Sequence, residues 1–183
     1  MDGELALSRD GVHWQRPFRQ SFFLPRSTGN HFDSGSILTN GTPIFLTDEF
    51  RFYYGGYSEG ATGADDYSLI TGIGLATLPR DRFVALYPQA QVGQVTLKVV
   101  DLTQYHSLTL NANAGQGVIY VELLDEEGRR LPGFTRAQAL PITGDRLDHA
   151  VAWQGVTLTQ CPVKQVMVRI YLENAELFAV TFS

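Results

Sequence analysis

Residues 165–183 read QVMVRIYLENAELFAVTFS, and their alternation decides the fold class. Successive side chains of a β-strand point to opposite faces of its sheet. Val166, Val168, Ile170 and Leu172 therefore share one face, while Met167, Arg169, Tyr171 and Glu173 share the other. One apolar face and one wet face is the pattern of an antiparallel sheet that covers a core on one side only. Asn174-Ala175 is a tight reversal, so Gln165–Glu173 and Glu176–Phe182 read as a hairpin.

Working upstream, the same strand character recurs in Gln94–Val100, Ser107–Ala112, Gly117–Leu124 and Asp148–Trp153, with a turn at Asp125-Glu126-Glu127-Gly128. Thr135–Leu140 reads as a short helical turn stopped by Pro141. The chain holds 18 Gly and 8 Pro, and few windows keep a helical apolar period. YPQAQVGQ at 87–94 is polar, carries Pro88 and Gly93, and reads as a boundary. Residues 88–183 are expected to form an antiparallel, jelly-roll-like β-sandwich, and residues 1–87 a separate segment.

That first segment reads as three hairpins. Glu4–Ser8 and Val12–Gln15 flank Arg-Asp-Gly, where Gly11 supplies the positive φ of the turn. Pro43–Leu46 and Phe50–Gly56 flank Thr-Asp-Glu, and Gly72–Leu78 and Arg82–Leu86 flank Pro-Arg-Asp. The polar loop SEGATGADDYS, 58–68, lies between the last two. SRDGVHW (8–14) and LATLPRDRFVAL (75–86) use a similar strand, Arg-Asp turn and strand, at a spacing of roughly seventy residues. Recurrent four-stranded units build propellers, which typically take four blades or more to close. The expectation is an all-β chain: partial β-propeller blades followed by a β-sandwich.

Bulk properties narrow the partners. The 183 residues are 44% hydrophobic and 18% charged, ordinary for a folded globular chain, with a net charge of −5. A mildly acidic chain without basic runs gives no electrostatic footprint for nucleic acid or an anionic membrane. No apolar run approaches the ~20 residues that span a bilayer. Cys161 is the one cysteine and cannot form an intrachain disulfide. MDGELALSRDG lacks the basic and apolar regions of a signal peptide, so a cytoplasmic location is the default, with a segment of an exported parent as the alternative.

ELALSRDGVHWQRP contains a Ser-x-Asp-Gly-x-x-Trp phrase that resembles five-bladed β-propeller glycoside hydrolases of families 32 and 43. HFDSGSILTNGTPIFLTDEFRFYYGGYS and TGIGLATLPRDRFVAL resemble a late blade of uncharacterised bacterial family 32-like proteins, and YVELLDEEGRRLPGF resembles their C-terminal module. The resemblance implies a sugar-directed ancestry, a fold of last blade plus sandwich, and catalytic acids on the innermost strands of different blades. The chain lacks Trp-Met-Asn-Asp-Pro, Arg-Asp-Pro and Glu-Cys phrases. On this reading it does not hydrolyse glycosides alone.

Glycoside hydrolysis takes two carboxyls, about 5–5.5 Å apart for retention or about 6.5–9.5 Å for inversion. Asp33, at the head of a strand that would be innermost in its blade, is the candidate acid; the alternative is a turn carboxylate accepting backbone N–H bonds. His31, Arg51, Tyr54 and Tyr57 are candidate sugar-binding residues beside it. Alternation sets Phe52 and Tyr54 on one face and Tyr53 on the other, and Trp14 reads as core. Asp48 and Glu49 read as solvated turn acids, and Asp65 with Asp66 as a weak cation signal.

His13, His31, His106 and His149 lack metal-ligand spacing, Cys161 reads as an inert thiol, and GIGLAT lacks the third glycine of a dinucleotide site. Neither a metal nor a cofactor is expected. Three functions remain: a non-catalytic carbohydrate-associated module, a glycosidase active only when assembled or within a longer chain, and an interaction module that oligomerises through open strand edges.

Overall fold

The computed structural model describes residues 1–60 and 69–183. The chain is all-β, with antiparallel sheets and no closed barrel among the described residues. It divides into two units, Met1–Leu78 and Pro79–Ser183. The loop at 58–68 falls largely outside the described residues, as do Asp65 and Asp66.

In the first unit, β1 (Leu7–Ser8) pairs with β2 (Trp14–Gln15), and Gly11 turns between them at φ +73°. Asp10 closes this turn: its Oδ1 accepts the backbone N–H of Val12 at 2.9 Å and of His13 at 2.8 Å. These bonds, with the His13 side chain, hold its carboxyl far below the usual range. The hairpin is shorter than the alternation suggested. Trp14 is 63% exposed, against the expectation of a core residue, and its indole N–H donates to Gly11 O at 3.2 Å. A pair of two-residue strands buries too little to cover an indole.

β3 (Ser36–Thr39) and β4 (Ile44–Phe45) both pair with β5 (Glu49–Tyr57), which also pairs with β6 (Thr71–Pro79). Register shows which residues share a face. Ile37 lies opposite Gly56 and Thr39 opposite Tyr54; Leu38 lies opposite Gly55 and Ile44 opposite Arg51. The Tyr54 face carries buried Ile37 and Phe50, and Phe23 packs edge-on against Phe52 at 5.4 Å. The small side of β6, Gly72 and Gly74, meets this face. A Cβ on Gly74 would lie 2.1 Å from Tyr54 Cζ, and one on Gly72 would lie 2.8 Å from Phe32 Cδ2. Two aromatic rings thus lie over strand backbone that only glycine leaves open.

The second unit is one six-stranded sheet with a single apolar cluster against it. Its strands are β7 (Val92–Thr96), β8 (Val100–Asp101), β9 (Leu108–Leu124), β10 (Ile142–Ala150), β11 (Gln165–Glu173) and β12 (Glu176–Phe182). β9 is the spine. Its first half is flanked by β10 and β12, and its second half by β11, which in turn pairs with β7 and β8. The hairpin of β11 and β12 forms as the alternation dictates, with Asn174 at φ +45° in its turn. Val166, Val168 and Ile170 are wholly inaccessible on the core side, each worth about 1.5–3 kcal/mol of burial. Phe134 and Trp153 cap this core edge-to-face at 5.1 Å, and the Trp153 N–H donates to Val121 O at 2.9 Å.

Three sequence expectations change here. Ser107–Ala112 and Gly117–Leu124 are one continuous strand, because neither Gly115 nor Gly117 adopts positive φ and the chain never reverses. Gly117 serves close approach instead: a Cβ there would lie 1.8 Å from Glu173 O. The strand expected at Asp148–Trp153 runs earlier, as β10, with Trp153 beyond it in isolated bridges. Arg82–Leu86 does not return along β6. Asp81 turns at φ +61°, Arg82 reaches Asn111, Asp145 and the Phe178 ring, and Leu86 pairs with Leu177. The two Arg-Asp phrases therefore build different structures. The predicted helical turn survives as a 3-10 turn at Arg136–Gln138.

Candidate functional site

The residues singled out in the first unit divide between two faces. Asp33 is 4% exposed, and its Oδ2 accepts the Tyr54 hydroxyl at 2.9 Å. The Tyr54 ring stacks on Phe32 at 6.2 Å and 11°. Burial pushes the Asp33 carboxyl up, but the hydroxyls of Ser27 and Tyr54, a backbone N–H and nearby His31 outweigh it, leaving its pKa below the ordinary value. Burial and the bond to Asp33 raise the Tyr54 phenol. His31 is exposed, and its carbonyl accepts the Ser34 hydroxyl at 2.8 Å.

Arg51 and Tyr57 sit on the other face of β5, by the alternation that separates odd from even positions. Arg51 Nε donates to Glu49 Oε1 at 2.7 Å, so Glu49 anchors a neighbour in place of facing only solvent. The structure brings Asp33, Tyr54 and His31 together and leaves Arg51 and Tyr57 apart from them.

The second unit carries a groove that sequence reading did not find. It encloses about 960 Å³ over the polar face of β9 and β11, lined among others by Tyr120, Glu122, Arg130, Arg136, Tyr171 and Glu173. Register builds its floor: Glu122 lies directly opposite Arg169, and Tyr120 opposite Tyr171. The roof comes from chain that returns along the free edge of β9, where Leu123 N–H donates to Phe134 O at 2.9 Å and Leu131 N–H to Leu123 O at 3.1 Å. Gly133, at φ +90°, then swings the chain into the 3-10 turn. The Gln138 carboxamide oxygen pins that turn, accepting Gly133 N–H and the Thr135 hydroxyl at 3.0 Å each.

Glu122 is the electrostatic centre of the groove, with its side chain only 1% exposed. Its Oε1 accepts the Tyr171 hydroxyl at 2.6 Å and Arg169 Nη1 at 3.2 Å; its Oε2 accepts the Arg136 backbone N–H at 3.3 Å and lies 3.4 Å from Arg130 Nε. A buried carboxylate persists only when paired and hydrogen-bonded in this way. Arg136 pairs with Glu173, and its guanidinium lies 4.6 Å from the Tyr171 ring centroid and 5.4 Å from that of Tyr120. A cation over two phenol rings is favourable in itself.

The available signal was an acid inside the apolar run VIYVELL, opposite an arginine on the wet face of 165–173. Which arginine met which acid depended on register, and Arg130 and Arg136 arrive from a loop. Elsewhere, Cys161 is half-buried, and burial raises its thiol. Among the described residues no group of three or more His, Cys, Asp or Glu is arranged to hold a metal ion. No described helix is long and apolar enough to cross a membrane. No known protein family, curated protein or solved structure matches the chain.

Proposed function

We propose that this chain is a non-catalytic carbohydrate-associated β module of glycoside-hydrolase ancestry, its first unit blade-like and its second a β-sandwich, with the saccharide seat in the Glu122 groove. The observation that carries the reading is the lining of that groove. Gln94, Thr135, Glu173 and the arginines supply donors and acceptors for sugar hydroxyls, above the Tyr120 and Tyr171 rings that Arg136 covers. A concave site with a few placed polar groups suits a small polar ligand.

The non-catalytic part rests on Asp33. Its carboxylate is buried beneath Tyr54, with Oδ2 accepting the Tyr54 hydroxyl and Oδ1 left without a hydrogen-bond partner among the described residues. A glycan array read with the purified chain tests the module, and silence across all sugars would count against it. Turnover of chromogenic fructosides, arabinosides or xylosides, abolished by Asp33→Asn, would instead favour an enzyme.

A second reading, an interaction module, draws on the other face of the first unit's sheet. Leu38, Ile44 and Tyr53 are 49%, 49% and 39% exposed there, and Ile73 and Leu75 of β6 are 82% and 49% exposed opposite its glycine side. Exposed apolar sheet surface of this kind favours pairing with another chain. Light scattering that shows a strict monomer at high concentration would remove this reading.

A further inference from the structure

We infer that the saccharide taken by the Glu122 groove is anionic, its carboxylate or sulfate held by Arg130 and Arg136. This rests on the carbohydrate reading above and names the ligand class for the same site. The ion-pair cluster at the groove is charge-asymmetric. Arg130 and Arg136 of the lining, with Arg169 beside them, pair with two carboxylates, Glu122 and Glu173. One positive charge is left over in a chain whose net charge is −5.

The three arginines are not equally committed. Arg169 is 24% exposed, donates to Glu122 and to Thr96 Oγ1, and completes the floor. Arg130 is 66% exposed and its Nε lies 3.4 Å from Glu122, while its terminal nitrogens make no hydrogen bond among the described residues. Arg136, 41% exposed, uses one terminal nitrogen on Glu173 and leaves the remaining side-chain N–H groups unpaired among the described residues. Glu122 is already satisfied by the Tyr171 hydroxyl, Arg169 and a backbone N–H. A ligand anion can take up Arg130 without stranding the buried acid.

Ring geometry points the same way. The Arg136 guanidinium covers the faces of Tyr171 and Tyr120. A neutral sugar that stacked on those rings would have to displace this cation, whereas an anionic one meets its N–H edge with the stack intact. Planar guanidinium edges match the two-oxygen geometry of carboxylates and sulfates. Glu173, Gln94 and Thr135 remain at the rim for the hydroxyls.

The test is calorimetric titration of the full chain with three oligosaccharide sets of equal length: uronates, sulfated neutral sugars and the unmodified neutral sugars. Binding of uronates or of sulfated sugars is expected, weakened about tenfold or more by Arg130→Ala and by Arg136→Ala, and weakened by added salt. The set that binds identifies the anion. Arg130→Ala is the safer variant, because its exposed side chain leaves the fold of Glu122 to Arg169 and Tyr171. Equal binding of neutral sugars, or anionic binding indifferent to both substitutions, overturns the inference while the module reading stands. No binding in any set overturns both.

Discussion

Glu122 and Arg169 face each other across β9 and β11, one residue in direct register with the other, and meet at 3.2 Å. The pair sits on the face opposite the apolar core, and the acid is held out of water by the chain of 130–138 and the side chains bonded to it. Removing one member of such a pair leaves the other charge uncompensated, which costs about 3–5 kcal/mol. Glu122→Ala is expected to lower the unfolding free energy by that amount in urea titration. Arg169→Met should cost less, because Tyr171, Arg130 and the Arg136 N–H still serve the acid.

On the core side of the same strand, Ile170 is wholly inaccessible and lies opposite Val121. Truncation there removes transfer energy and opens a cavity that a sheet cannot collapse into. Ile170→Ala should destabilise the second unit by about 2–5 kcal/mol, read as a fall in denaturant midpoint at unchanged slope.

In the first unit, Gly74 and Tyr54 exclude one another. A Cβ on Gly74 would fall 2.1 Å from the Tyr54 ring, so Gly74→Ala displaces the ring at a cost of about 1–3 kcal/mol. Displacement also strips the 2.9 Å hydroxyl bond from Asp33. A double-mutant cycle with Tyr54→Ala should show strong coupling, since the clash disappears once the ring is gone. Additive effects would contradict this geometry.

Asp33 links that cluster to pH. Its folded pKa lies below the ordinary value of 3.8, so its contribution to stability is full above that value and is lost as pH falls through the folded pKa. Other carboxyls are lowered too, Asp2, Asp101 and Asp145 among them, so the informative quantity is a difference. The stability gap between the native chain and Asp33→Asn should narrow below pH 3.8 and stay constant from there to neutrality. Denaturant midpoints across the acid range read it directly.

How much of this was legible follows from which interactions are local. Alternation in 165–173 named the inner and outer faces of β11 except that Tyr171, expected wet, is buried under Arg136, because a strand's period of two is a property of its own backbone but cover is not. The reversal at Asn174 and the turn at Gly11 were legible for the same reason. Glycine misled where its role was close approach. The interval 113–116 between the two expected strands read as a break, yet β9 runs through it, and Gly117 at its end leaves room for Glu173 O on another strand.

The candidate site was the least legible part. Arg169, Tyr171 and Glu173 shared one face from the outset, and nothing in their spacing brought Glu122 beside them or Arg130 and Arg136 above. The sequence by itself determined strand identity, facing and tight turns, because these arise from sterics within a few residues. Only the tertiary structure decided the register that joins Glu122 to Arg169, the burial of Asp33 under Tyr54 and the exposure of Trp14. Each of those depends on segments far apart along the chain being held together by the surface they jointly remove from water.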